Sequence, residues 1–135
     1  MRDRTRPRRA PRPRVSEPLA LALLAAALST LFVAFVPPGT DFAAHAYQSA
    51  LFAKRGFAIW DNGWYAGRYT FITYSVLYYP LAATFGIALV AVGSQAIAVG
   101  AFAAVLRDRF GRRARWSART FAITWPAFLM TALVP

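Results

Sequence analysis

The chain has 135 residues, of which 58% are hydrophobic, a mean hydropathy of +0.39 and a formal net charge of +11. That composition excludes a soluble domain of ordinary make-up, and the absence of cysteine excludes a disulfide framework and thiolate chemistry. His45 is the only histidine, so the zinc signatures fail as well; no metal set is indicated, and the cofactor is left open.

The first 18 residues are dominated by arginine and proline, with seven arginines at positions 2–14. Such a segment cannot bury enough apolar area to offset the entropy of ordering, so a disordered basic tail is predicted. Pro18 suits the first turn of a helix, where its missing N–H costs nothing. Residues 19–36 then run apolar for nearly the 20 or so residues that cross a hydrocarbon core. A secretory signal peptide is the rival reading, but its apolar region runs about 7–15 residues, so an uncleaved signal anchor is expected. Pro37, Pro38 and Gly39 end this first span.

Residues 37–80 form an insert between apolar spans. Thr40 or Asp41 offers an oxygen to cap a helix over residues 41–55, and Gly56 suits its C-terminus. At 100° per residue, Asp41, His45, Gln48, Ser49 and Arg55 share one side, with Ala43, Ala46, Tyr47, Ala50, Leu51 and Ala53 elsewhere. Such a segment is too short and polar to span, and is expected to lie in the membrane interface. Asp41 reads in two ways: as a plain cap favoured by the helix dipole, or as a carboxylate four residues from an imidazole, placed to handle a proton. Residues 57–80 carry nine aromatics, among them Trp60, Trp64 and Tyr65. An interfacial aromatic belt accounts for any single ring. The run from Trp60 to Arg68 is predicted to make a compact turn pivoting on Gly63 and Gly67, where ring faces could stack on a sugar and Arg68 could grip a phosphate.

The second apolar span covers residues 81–106, with Gly86, Gly93 and Gly100 on one stripe for close helix packing and Gln95 as an interhelical hydrogen bonder. A basic loop follows at residues 107–119, holding six arginines. Residues 120–135 begin a third span that stops while still apolar, so the chain is expected to be the N-terminal part of a longer protein and inactive alone. No ionisable residue lies inside these spans, which argues against an intramembrane proton relay.

Cationic flanks stay on the cytoplasmic side. Both basic blocks therefore lie inside, and the insert, with Lys54, Arg55 and Arg68 against Asp41 and Asp61, lies outside. The expected fold class is an all-α, multi-pass protein of the cytoplasmic (plasma) membrane: three transmembrane helices, the third incomplete, and an amphipathic interfacial helix in the first outer loop. Its basic segments are expected to meet anionic headgroups rather than nucleic acid.

An Asp just after the first membrane helix, an interfacial helix and a long aromatic outer loop resemble the GT-C class of membrane glycosyltransferases. The string from Asp41 to His45 is similar to that class's acid-then-histidine pattern, and Trp60 to Tyr65 to its aromatic segment, the likeness covering about residues 17–106. The resemblance implies a polyprenyl-phosphate-linked sugar donor, Asp41 in the catalytic role and His45 as a second candidate. Trp60, Trp64, Tyr65, Arg68, Lys54 and Arg55 would then meet the donor, the leaving phosphate turning toward Arg68, Lys54 or Arg55. A second acid beside the first, present in several branches of the class, is absent here.

The inner loop carries a competing resemblance. Asp108, Arg109, Phe110, Gly111, Arg112 and Arg113 are similar to the DRxGRR core found between helices two and three of major facilitator transporters, with Ala104 where that signature has a glycine. This implies a transporter, in which Asp108 and Arg109 would matter and the outer insert would not. A membrane scaffold is the third reading.

Overall fold

The computed structural model describes residues 16–37, 39–73 and 75–133, with the backbone alone for Thr40 and residues 128–133. The basic tail expected at residues 1–18 lies almost wholly outside the described residues. The elements are α1 (Glu17–Phe35), α2 (Thr40–Arg55), β1 (Trp60–Trp64), β2 (Tyr69–Ile72), α3 (Tyr78–Phe85), α4 (Ile87–Phe110), a single 3-10 turn (Gly111–Ala114) and α5 (Arg115–Leu133). The protein is mostly helical, but the expectation of an all-α chain is corrected by the antiparallel hairpin of β1 and β2.

Two helical stretches are long and apolar enough to cross a membrane: Glu17–Phe35, and Ile87–Ala127, which runs through α4 and the 3-10 turn into α5. Only 17% of the most apolar window in each is buried inside the protein. Leu19, Leu23, Leu24, Leu31 and Phe35 all project outward from α1. In water that array would be a large exposed apolar patch; against hydrocarbon it is the expected surface. By length and composition these features point to association with a membrane.

Helices α1, α4 and α5 pack together through small side chains. Leu21 and Ala25 of α1, Val99 and Ala103 of α4, and Ala118 and Ala122 of α5 form one buried cluster, with Leu106, Phe121 and Trp125 against it. Alanines let helix backbones approach closely, which matters where lipid removes the hydrophobic drive between helices. The rings of Phe102 and Phe121 sit 4.4 Å apart and those of Phe121 and Trp125 4.8 Å, closing the α4 and α5 side. At the basic end Arg119 reaches Glu17 with Nη2 at 3.1 Å and Nε at 3.2 Å, tying the start of α5 to the start of α1.

The second apolar helix starts differently from the sequence expectation. Residues 81–106 do not form one rod, because Gly86 takes φ +87° and ψ 145°, ending α3 and opening α4. Only glycine adopts that conformation without strain, so the chain turns there. The 24 residues of α4, about 36 Å at 1.5 Å per residue, still exceed the hydrocarbon thickness. The eight residues of α3 pack against α2 and α4.

The proposed glycine stripe divides the same way. A Cβ on Gly100 would lie 3.1 Å from the Ala22 Cβ, so this glycine sits in the α1 and α4 contact, whereas Gly93 has nothing within 4 Å and Gly86 is the break itself. Gln95 was expected to bridge helices; its Oε1 has no hydrogen-bond partner among the described residues. Gly100→Leu should therefore force α1 and α4 apart and lose about 1–3 kcal/mol by overpacking. Gly93→Ala should be neutral or slightly stabilising, and thermal melts of the detergent-solubilised protein would separate the two.

Candidate functional site

Helix α2 occupies the stretch where a helix was expected, but its ends and faces differ in detail. Its N-cap is Gly39, without a side-chain cap bond, so Asp41 is a helical residue of the first turn rather than the cap. Its carboxylate is still favoured there by the helix dipole. At the other end Gly56 takes φ +74° and its N–H reaches the Phe52 carbonyl at 2.8 Å, terminating the helix just after Lys54 and Arg55. Two cations in a last turn complement the negative end of the dipole, the structural reason for their placement.

The polar side of α2 is exposed at its ends, at Asp41 and Arg55, and covered in the middle. Gln48 and Ser49 are buried and His45 is half-buried, while Asp41, Ala43, Ala50 and Ala53 are exposed. The His45 ring lies 5.0 Å from that of Tyr78 and 6.2 Å from that of Tyr79, so the imidazole packs α2 onto α3. Thr73 Oγ1 lies 2.9 Å from Gln48 Oε1 and 2.6 Å from the Ala58 carbonyl, its single proton serving one acceptor at a time. The Thr73 N–H donates to the Ile59 carbonyl at 2.9 Å and extends the base of the hairpin. Burial pushes the His45 pKa down from its ordinary 6.5, opposed by the nearby Asp41 carboxylate. Burial thus favours the neutral imidazole.

On its adjoining side α2 carries Tyr47, which holds the hairpin. The Tyr47 hydroxyl donates to the Asp61 carboxylate. The Gly63 N–H donates to the same Oδ2 at 2.8 Å, and Arg55 Nη1 approaches Oδ1 at 3.6 Å. Around this contact Trp64 stands edge-on to Tyr47 at 4.8 Å and to Phe71 at 5.1 Å. A Cβ on Gly63 would lie 2.7 Å from Tyr47 Oη and 3.0 Å from Asp61 Oδ2. Gly63 is thus required for close approach rather than as a turn pivot, the role expected of it. The reversal lies in the loop between β1 and β2, where Tyr65, Ala66 and Gly67 all take positive φ. Side chains rarely adopt that region, and such strain persists only where the surroundings hold it.

Between α2 and β1 lies an open cleft of about 560 Å³ bordered by Tyr47, Lys54, Arg55, Trp60, Asp61 and Asn62, with Ala50, Leu51 and Gly63 completing it. The Trp60 Nε1–H donates to Asn62 Oδ1 at 2.8 Å, fixing the indole beside the cleft. Three of the residues expected to meet a sugar phosphate are therefore brought together: Lys54, Arg55 and Trp60. The other three are not. Trp64 is packed behind Tyr47, Tyr65 stands in the strained loop 5.0 Å from Trp64, and Arg68 lies over the Tyr69 ring at 5.6 Å. Asp41 is 13 positions before Lys54 on the same helix, hence about 20 Å away along its axis. One phosphate cannot meet both Asp41 and the Lys54–Arg55 pair.

Tyr47 and Asp61 are what sequence reasoning missed. Their 14-residue separation left no periodicity to join them, and the one available signal was an acid directly before Asn62 and Gly63 in an aromatic run. Asp108 and Arg109 belong to the last turn of α4, are exposed and approach each other only at 4.0 Å; the loop expected over residues 107–119 is instead the end of α4, the 3-10 turn and the start of α5. Among the described residues no group of three or more His, Asp or Glu side chains is placed to hold a metal ion. No family model, curated protein or solved structure matches this chain.

The pH dependence of hairpin docking follows from its central contact. The Tyr47 hydroxyl, then the Gly63 N–H, hold the Asp61 pKa below the ordinary 3.8, and the same bond raises Tyr47 above 10.0. The depressed carboxyl contributes above 3.8 and loses its contribution as pH falls through its lowered folded value; the raised phenol contributes below 10.0 and loses it as pH climbs through its raised value. Docking should hold between these limits and loosen beyond both, and Tyr47→Phe should loosen it at all pH values, read as faster amide exchange at Thr73. His45 has the opposite sense to a paired histidine. Its contribution falls as pH drops below 6.5, and Asp41→Asn should lower its pKa further by removing the opposing carboxylate, measurable by NMR titration.

Proposed function

We propose that the chain belongs to an integral membrane glycosyltransferase of the GT-C type, taking sugar from a polyprenyl-phosphate carrier at the non-cytoplasmic face. In this reading α1 and α4 cross the membrane, α5 begins a third span, and the basic segments lie in the cytoplasm against anionic headgroups. Helix α2 lies near the outer interface. A donor with an apolar tail and a charged head stays in the membrane plane, so a unit folded at the end of a span is where it would be met.

The observation that carries the reading is the position of Asp41. It is exposed in the first turn of α2, six residues after α1 ends at Phe35, on the helix that carries the folded aromatic hairpin. An exposed carboxylate there can accept a proton from, or orient, an acceptor hydroxyl as the glycosidic bond to phosphate breaks. His45 would support it by position, because its ring packs α2 on α3 and holds the first turns of α2 in place. The transporter reading draws on the DRFGRR string alone and gains nothing from the exposed Asp108 and Arg109.

Asp41→Asn in the full-length protein should reduce sugar transfer from a polyprenyl-phosphate donor by about 10²-fold or more at equal expression, the scale of general acid–base catalysis. Retained transfer would remove Asp41 from the mechanism.

A further inference from the structure

The cleft between α2 and β1 has the makings of a binding site separate from Asp41. Lys54 and Arg55 are exposed on its border, and Trp60, 61% exposed, offers its indole beside them. Asp61, the only carboxylate among the described residues that line it, already receives the Tyr47 hydroxyl and the Gly63 N–H. If Arg55 turns away, Asp61 keeps both donors, so Arg55 is available to an anion without leaving a bare carboxylate behind. Arg55 is also loosely held at 3.6 Å with its side chain 72% exposed, which makes the exchange an easy one. A guanidinium beside an ammonium suits a phosphate, the first through its planar fork and the second as a point charge. The neighbouring indole face suits the C–H face of a sugar ring, and the Asn62 amide a sugar hydroxyl. The cleft volume of about 560 Å³ lies within the range of small-molecule sites.

We infer that this cleft is a recognition subsite for a phosphorylated sugar, with Lys54 and Arg55 on the phosphate and Trp60 and Asn62 on the ring. The choice of a sugar phosphate rests on the transferase reading; the location does not. The subsite lies about 20 Å along α2 from Asp41, so it holds a headgroup apart from the reacting centre. Its ligand is either the headgroup of the lipid carrier or a free sugar phosphate, which share this chemistry.

The test uses the chain in zwitterionic nanodiscs with ¹⁵N-labelled indoles, the Trp60 resonance being identified by its loss in Trp60→Phe. Hexose 1-phosphate is titrated from solution and prenyl-phosphate-linked hexose is added to the bilayer. The expected result is a saturable shift of the Trp60 resonance, weakened at least fivefold in Lys54→Ala while the Trp64 resonance stays in place and shows the hairpin intact. Tighter apparent binding of the bilayer form assigns the lipid carrier, and tighter binding of the soluble form assigns a free sugar phosphate. Absence of a saturable shift with both at millimolar concentration, or unchanged affinity in Lys54→Ala, overturns the subsite. Equal binding of inorganic phosphate overturns the sugar half of the assignment. Loss of transfer in Asp41→Asn without any Trp60 shift would keep the transferase reading and sink the cleft; a Trp60 shift without transfer activity in the full-length protein would do the reverse.

Discussion

The unit formed by α2 and the hairpin depends on one contact, the Tyr47 hydroxyl against the Asp61 carboxylate. A two-stranded hairpin is marginal by itself in water and needs a surface to pack on. Here the surface is a single helix, and Tyr47 supplies both a ring for Trp64 and Phe71 and a donor for Asp61. The Gly63 N–H on the same oxygen holds the Asp61 carboxylate toward Tyr47 from within β1, and only a residue without a Cβ leaves room for Tyr47 Oη at that distance. The cleft bordered by Lys54, Arg55 and Trp60 exists because the strand is held there.

A second constraint acts at Gly86. Its positive φ divides what would be one long apolar helix into α3 and α4. The short α3 is thereby free to pack on α2, where Tyr78 and Tyr79 receive His45, and the unit built on α2 is closed on both flanks of that helix. The three longer helices associate through alanines, the Gly100 contact and the Glu17–Arg119 ion pair. This unit thus joins the helical bundle through a packed helix rather than through a loose loop. In the proposed function this keeps Asp41 near the end of α1 and sets the cationic cleft a helix length away.

Much of this was legible in the sequence for physical reasons, and the remainder was hidden for equally physical ones. The apolar runs expected at residues 19–36 and 81–106 declare themselves by composition, the second without its break at Gly86, and α2 declares itself by the change to polar residues at Thr40 and Asp41 and by Gly56 at its end. The polarity of its faces did not reveal the packing, because Gln48 and Ser49, placed on the polar side of an interfacial helix, are buried by tertiary contacts. The hairpin was hidden because Trp60–Trp64 lacks a clean alternation and Asn62–Gly63 resembles a turn. The true reversal passes through Tyr65 and Ala66, side chains that seldom take positive φ. Of the residues expected to form a site, Lys54, Arg55 and Trp60 converge because the helix end and the strand are brought together, while Arg68 is carried off along the strained loop to Tyr69. Asp41 was conspicuous by its place after a span, whereas Asp61 gained its role only through a partner fourteen residues away.

The central claim is that the unit built on α2 stands on the non-cytoplasmic side of the membrane, with the arginine-rich turn on the other. The chain has no cysteine, so single substitutions report without background. Asn62→Cys and Arg112→Cys, each probed in intact spheroplasts with a membrane-impermeant maleimide, measure this directly. The account predicts labelling at position 62 at once and at position 112 only after the membrane is permeabilised; the reverse pattern, or equal labelling of both in sealed spheroplasts, would contradict it.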